Sequence, residues 1–464
     1  MKKTVCALLV LAALFLLPAG CGNKEPSTTS TDTSAPRYFS PASQDGLVFS
    51  DKELQFQVLR TLSSSVYDAS DIGECLETAL RVDEAQLEQG NFESWYVAWN
   101  ATAERINGIA DDCLGRGRKV SAREAYLRCE TYYRMAEFYL HGNPSDPRIR
   151  DTAGKARECF AKATKLMDNP VEQVRIRYED TTLPGYFYEV DDSGRKRPLV
   201  ILQTGFDGTQ EELYAQGVAA GLRRGYNVLT FEGPGQGEVL REQNLYFRPD
   251  WEKVVTPVVD YALSRKEVDP KKVALWGISM GGYLAPRAAA AEHRLGGLIA
   301  DPGMDMSVMI TGQIGPAIAG TTGDPGFKTT PESVAAFVKE NPEDFDEGMY
   351  EMMKGNIRMN WFMQNGMYAF GVDSPSGLVL KLTECTLAGL TPKIECPTLI
   401  CDGEQDRQAF GAMTKDIFDD LECEKQYILF TNAEGAGAHC QMGAMLFGHQ
   451  VKYGWLDDTF RVRE

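Results

Sequence analysis

Val273-Ala274-Leu275-Trp276-Gly277-Ile278-Ser279-Met280-Gly281-Gly282 is the stretch that decides how this chain is read. An apolar run leads into G-x-S-x-G, and the small and apolar residues Tyr283 to Ala291 follow. The pattern is a buried strand, a sharp elbow and a helix. Glycines at 277 and 281 suit an elbow because a Cβ on either neighbour would press on the adjoining strand or helix. Such a turn lifts the Ser279 hydroxyl out of the sheet. It also places the Met280 backbone N–H at a helix start, where developing negative charge is stabilised. The plainer reading is a tight packing turn, in which small residues cluster for steric reasons alone. The flanking strand and helix favour a nucleophile.

A nucleophilic serine needs a base and an acid, expected here in the chain order serine, acid, histidine. Cys396-Pro397-Thr398-Leu399-Ile400-Cys401 reads as a further buried strand, and Asp402-Gly403-Glu404-Gln405-Asp406 follows at its carboxyl end. Asp406 is the candidate acid. Asp402 and Glu404 are its rivals, with Asp402 placed nearer the strand end. Gln426 to Phe430 is a short strand, and Glu434-Gly435-Ala436-Gly437-Ala438-His439-Cys440 follows it. The chain has only four histidines, His141, His293, His439 and His449. His141 precedes the serine, His293 lies at the end of the helix behind it, and His449 falls in a helical pattern over 442–455. His439, on a loop of small residues after the acid, is the candidate base. Pro198 to Leu202 is another strand, followed by Gln203-Thr204-Gly205-Phe206-Asp207-Gly208. In an elbow-bearing sheet that loop contributes one oxyanion N–H and the residue after the nucleophile the other, which nominates Phe206 and Met280. An ordinary Gly-rich connection is the alternative. The strand Asn227 to Phe231 ends in Glu232-Gly233-Pro234-Gly235-Gln236-Gly237, expected to shape the pocket floor without taking part in chemistry.

At 464 residues, 43% of them hydrophobic, the chain can build a large core and more than one domain. A net charge of −18 argues against nucleic acid, whose phosphates it would repel. Residues 1–21 read as a lipoprotein-type signal. Lys2 and Lys3 precede an apolar run from Val5 to Leu17, and Leu17-Pro18-Ala19-Gly20 leads to Cys21, the candidate lipidation site. Pro18 departs from that pattern, so plain secretion is the alternative. The expected location is therefore a bacterial cell envelope, with the membrane engaged only through the N-terminal lipid. Residues 22–48, dense in Ser, Thr and Pro, read as a flexible tether. Of 11 cysteines, some could pair outside the cytosol, but Cys396 and Cys401 bracket a strand and look like small core residues. No spacing resembles a metal site.

Residues 49–170 read as an all-helical domain. Trp95, Trp99, Ala103, Ile106 and Ile109 recur at three and four, and Gly142 to Pro147 breaks the pattern. Residues 171–464 alternate strands with helices, which predicts an α/β fold with a mostly parallel sheet and helices on both faces. Residues 302–395 form an insertion expected to act as a lid. Its Asn360-Trp361-Phe362 and Asn365 to Gly371 offer aromatic and soft surface, either for a hydrophobic ligand or for packing.

Gly205-Phe206-Asp207-Gly208, Glu232 to Gly237, Gly277 to Tyr283, the Asp406 loop and Glu434 to Cys440 together resemble one family. It is the α/β-hydrolases with an N-terminal helical cap, the group that includes 2,6-dihydroxypseudooxynicotine hydrolase and fungal polyketide-shortening hydrolases. The resemblance spans roughly residues 60–460. It implies a Ser279–His439–Asp406 triad, a small-molecule substrate, no cofactor and often a homodimer. Relatives cleave esters or carbon–carbon bonds beside ketones, so the bond stays open, with an aromatic or hydrophobic substrate expected. A secreted peptidase of the prolyl-oligopeptidase type and a non-catalytic surface binding protein on the same scaffold are the alternatives.

Overall fold

The computed structural model describes residues 46–323 and 326–462. The expected signal with Cys21, and the tether as far as residue 45, lie outside the described residues. Among the described residues eight strands form one sheet: β1 Val171–Tyr178, β2 Thr181–Tyr188, β3 Arg197–Gln203, β4 Asn227–Phe231, β5 Val268–Ile278, β6 Gly297–Asp301, β7 Thr398–Gly403 and β8 Lys425–Phe430. Their spatial order is β1-β2-β4-β3-β5-β6-β7-β8. β1 and β2, joined by the short turn Glu179-Asp180, pair antiparallel, and β2 pairs antiparallel with β4. From β4 to β8 every pairing is parallel. Parallel neighbours need long crossovers, and here the connections carry helices.

Both faces of this sheet are covered, which explains why its strands read as unbroken apolar runs. Along β3, Leu199 and Ile201 join one core while Val200 and Leu202 join another. Val273 and Leu275 of β5 likewise face away from Ala274 and Trp276. The first core includes the helices Glu252–Ser264 and Gly281–Ala289 and the five helices between Met306 and Glu384. The second is closed by the C-terminal helix Met445–Phe460 and by the N-terminal helices.

Those N-terminal helices run Lys52–Ser63, Ile72–Ala79, Glu84–Glu88, Glu93–Gly115, Lys119–Glu137 and Pro147–Thr164. The last begins where the break was expected, with Asp146 capping Arg148 N–H and Pro147 in the first turn. Trp95, Trp99, Ala103 and Ile106 are fully buried as their spacing requires. Ile109, counted in the same stripe, is 42% exposed and Ala110 takes the buried position instead. A 3.6-residue turn drifts from a strict three-and-four count over about four turns.

Between β3 and β4 a π-turn at Tyr214–Val218 precedes a short helix, Ala219–Arg223. The carbonyls of Gln216 and Gly217 accept from His449 Nε2 (2.7 Å) and Tyr453 Oη (2.9 Å) of the C-terminal helix, and the turn is widened where they do. Across the sulfurs of the helical layer, Cys129 Sγ and Cys159 Sγ lie 2.6 Å apart. Among the described residues no helix is long and apolar enough to cross a membrane.

One residue joins the loops at the carboxyl edge. Asp301 ends β6, between the elbow strand β5 and β7. Its backbone carbonyl accepts Ser279 N–H at 2.7 Å and Cys440 Sγ at 3.3 Å. Its carboxylate takes Gln441 Nε2 at 3.0 Å and an ion pair from Lys452 Nζ of the C-terminal helix. Asp301 and Lys452 are 1% and 3% exposed, so neither charge has water to fall back on. Lys452 also lies 4.9 Å from the Trp276 ring centroid. Removing one partner of such a pair leaves a buried charge uncompensated. Lys452→Met is expected to cost about 3–5 kcal/mol of stability, read as a lowered denaturant midpoint.

Candidate active site

The elbow after β5 is built by close approach. Ser279 has φ of +61°, in the left-handed region that side-chain-bearing residues seldom occupy. A Cβ on Gly277 would lie 1.9 Å from the Gly281 carbonyl oxygen, and one on Gly282 would lie 1.7 Å from that of Pro302. At Gly281 the nearest approach is a milder 3.1 Å. The second indispensable glycine is therefore Gly282, not Gly281: the helix packs against the chain leaving β6 at that point, a contact sequence spacing does not reveal. Ser279 C=O accepts Gly282 N–H at 2.7 Å and closes the turn.

Three side chains from distant parts of the chain meet above this elbow. His439 Nε2 is 2.9 Å from Ser279 Oγ, and His439 Nδ1 is 2.9 and 3.0 Å from the two oxygens of Asp406. With a carboxylate on Nδ1, the neutral ring keeps its proton there and turns the Nε2 lone pair to the serine. Burial alone would lower the His439 pKa; Asp406 outweighs it and raises the value well above the ordinary histidine range. Asp406 sits in the first turn of the helix Glu404–Phe410, just past β7. Gln405 N–H donates to Gly437 C=O at 2.9 Å and ties this acid turn to the histidine loop. Cys440 and Gln441 have φ of 53° and 54°, and both point back to Asp301.

The other candidates go elsewhere. Asp402 is buried at the strand end against Tyr427 Oη, and burial pushes its pKa up to about 6. Glu404 accepts Asn432 N–H at 2.7 Å. His293 is exposed, 3.2 Å from Glu395. His449 is buried, its Nε2 donating to a carbonyl and its Nδ1 accepting from Tyr67 Oη at 2.9 Å; burial lowers its pKa to about 3. His141 is buried between Glu137 and Asn365.

Phe206 and Met280 stand beside the serine. A Cβ on Gly205 would fall 2.5 Å from Met280 N, so only glycine lets the loop after β3 rest on the elbow. Within the described residues no hydrogen bond takes up the backbone N–H of Phe206 or of Met280. Two free N–H groups at one spot are unusual in a folded chain, where such donors are paired. The described residues hold no cluster of three metal-ligating side chains.

Several residues at this site escaped the sequence reading. Phe56 lies 6.4 Å from the His439 ring, centroid to centroid. Arg60, one turn on, reaches Asp207 Oδ2 at 2.5 Å and binds both Glu212 oxygens, at 2.5 and 2.6 Å. Burial would raise the Asp207 pKa, but Arg60 holds it below the usual carboxylate range. Ser63 Oγ accepts Gly443 N–H at 2.6 Å. The helix Lys52–Ser63 thus grips the loop after β3 and the histidine loop together. The one available hint was an arginine inside an apolar helical stretch, Leu54 to Leu62. Phe206 stacks on Phe362 (5.1 Å) and meets Trp361 edge-on (6.0 Å), and Trp361 stacks on Phe138 (5.0 Å).

Comparison with known proteins agrees with this architecture. The model of the Alpha/beta hydrolase family matches residues 203–445, from the end of β3 to the start of the C-terminal helix. Hydrolase LUC6 of a Fusarium species is 33% identical over 437 residues, covering 90% of this chain and 98% of its own. The 20-hydroxy-prefusarin hydrolase FUS2 of Gibberella moniliformis is 33% identical over 436 residues, with 90% and 98% covered. Among solved structures, 2,6-dihydroxy-pseudo-oxynicotine hydrolase superposes with a TM-score of 0.64 at 21% identity, covering 86% of this chain and 95% of that one. That likeness is one of fold.

The fungal relatives also correct an expectation. Alignment to fungal hydrolases along most of the chain points away from a bacterial cell-envelope lipoprotein, and the lipid anchor at Cys21 finds no support in them. Two lysines, an apolar run and a few small residues before a cysteine are a short and degenerate pattern. They carry far less information than nine-tenths of the sequence in register. By the family match and by this kinship over nine-tenths of the chain, the protein is a hydrolase and belongs to the alpha/beta hydrolase family.

Proposed function

We propose that the protein hydrolyses a small aromatic or hydrophobic substrate through an acyl-enzyme formed on Ser279. The observation that carries the reading is the unbroken line Ser279 Oγ–His439–Asp406, with contacts of 2.9 Å on both sides of the ring. In this scheme Ser279 attacks a carbonyl carbon while His439 Nε2 takes its proton. Asp406 keeps the imidazole in the working tautomer and stabilises its cationic form. The negative oxygen that develops is received by the N–H groups of Phe206 and Met280, each worth about 10²–10³-fold in rate. His439 then protonates the leaving group, and water repeats the attack on the acyl-enzyme.

The aromatic side chains around Phe206 favour a flat or apolar substrate. A relative named for a single compound, 20-hydroxy-prefusarin, accords with small-molecule work. An alcohol leaves readily, so an ester is the simplest substrate. Cleavage of a carbon–carbon bond beside a ketone asks in addition for a stabilised carbanion. Turnover compared across p-nitrophenyl esters, β-diketones and acyl-phenols separates the two.

Ser279→Ala is expected to abolish both p-nitrophenyl ester turnover and labelling by a fluorophosphonate; unchanged labelling would remove Ser279 from the mechanism. The base works in its neutral form and its pKa is raised. Activity, followed as kcat/KM, should therefore rise with pH through a midpoint above the ordinary value of about 6.5. Asp406→Asn should lower kcat by about 10⁴-fold, because the ring loses its tautomer, whereas Asp402→Asn should change it little.

A further inference from the structure

Two buried amide side chains, Gln236 and Asn365, converge on the loop that carries Phe206. Each is 2% exposed. Gln236 Oε1 accepts Gly233 N–H at 2.9 Å, which settles the orientation of the amide. Its Nε2 then donates to the carbonyls of Thr204 (2.9 Å) and Gly205 (3.1 Å). Asn365, on the insertion helix Ile357–Phe370, is oriented by the Phe206 carbonyl, which can only accept: Nδ2 donates to it at 3.2 Å, and Oδ1 then faces His141 Nδ1 at 2.7 Å. The peptide units before and after Phe206 are therefore both held by side-chain amides, from two separate elements.

Geometry gives this grip a consequence. In a trans peptide the C=O and N–H point in opposite directions. Anchoring the Gly205 carbonyl on Gln236 turns the Phe206 N–H to the far side of the loop, where no acceptor among the described residues takes it. Anchoring the Phe206 carbonyl stops the next peptide from rotating in compensation. Behind Asn365 the support continues through buried charge. His141 Nε2 is 2.9 Å from Glu137 Oε2, and Glu137 Oε1 pairs with Arg241. Burial would raise the Glu137 pKa, but Arg241 and His141 together bring it down to about 2, so it stays an anion and orders the imidazole. Arg241 belongs to the helix Gly237–Gln243, which begins just after Gln236. The segment leaving β4 thus reaches the oxyanion loop twice, directly through Gln236 and by way of the N-terminal and insertion helices through Asn365.

We infer that Gln236 and Asn365 are positioning residues for the hydrolytic step, clamping the two peptides that flank Phe206 so that its N–H meets the developing oxyanion. The inference rests on the Ser279–His439–Asp406 reading and extends it to the insertion, which would then help set the reaction geometry. Donors fixed in advance need no reorganisation as charge develops, and a displacement of the order of 1 Å costs up to about 10²-fold.

Gln236→Glu and Asn365→Asp test it, because each keeps the shape and the acceptor oxygen and puts a carboxylate oxygen in place of the donating NH₂. Gln236→Met and Asn365→Leu remove the donors without adding charge, and serve if a carboxylate variant fails to fold. The readouts are kcat and KM on p-nitrophenyl butyrate, inhibition by phenylboronic acid as a tetrahedral mimic, and the thermal midpoint. Expected is a loss of about 10–100-fold in kcat with KM nearly constant, and boronate binding weakened by a similar factor. Folded variants with wild-type kcat and boronate affinity overturn the inference, as does a loss confined to KM or to the thermal midpoint. The parent reading fails differently: Ser279→Ala would then retain turnover. An inactive Ser279→Ala beside fully active amide variants leaves the triad in place and removes only the clamp.

Discussion

The site depends on a buried charge pair at the end of β6. Asp301 receives Lys452 and Gln441 on its carboxylate, while its main-chain oxygen takes Ser279 N–H and the Cys440 thiol. Serine and histidine loops are otherwise independent excursions from different strands. Both are strained, with left-handed backbone at Ser279, Cys440 and Gln441. Such conformations persist only when the surroundings over-determine them. A buried strand end does this, since donors from the serine loop, the histidine loop and the C-terminal helix all meet on Asp301.

Around that centre the helical layers do more than cover apolar strands. Lys52–Ser63 contributes Phe56 beside His439, Arg60 on Asp207 and Glu212, and Ser63 on Gly443. The insertion contributes Phe362 and Trp361 against Phe206, and Asn365 on its carbonyl. Asp305 closes the insertion on itself: it caps the helix Met306–Thr322 and accepts Leu387 N–H at 2.7 Å on the far side. A segment held at both ends by one carboxylate is suited to present its aromatic face at a constant distance from the serine.

The hydrolase assignment and the proposed substrate class rest on different kinds of observation. Kinship along nearly the whole chain places the protein among hydrolases. The aromatic surroundings of Phe206 carry the proposal of a small, flat substrate, and they are a property of the insertion and the N-terminal helices more than of the sheet.

Local chemistry made much of this readable in one dimension. Strands buried on both faces announce themselves as apolar runs, and Asn227–Phe231 was delimited to the residue. A helix cannot pass Gly142 to Pro147, and an elbow serine needs small neighbours, so those features too were written in order along the chain. Ser279, Asp406 and His439 could be nominated because each follows a strand on the same edge of a parallel sheet. Contacts between layers have no such signature. Nothing in the spacing of Gly282 foretells the Pro302 carbonyl, nor does Gln236 announce Gly205, Arg60 announce Asp207, or Lys452 announce Asp301. Those pairs are brought together by crossovers and helix packing over separations of up to 151 residues. Periodicity reports which face of an element is buried; only the folded chain decides what it is buried against.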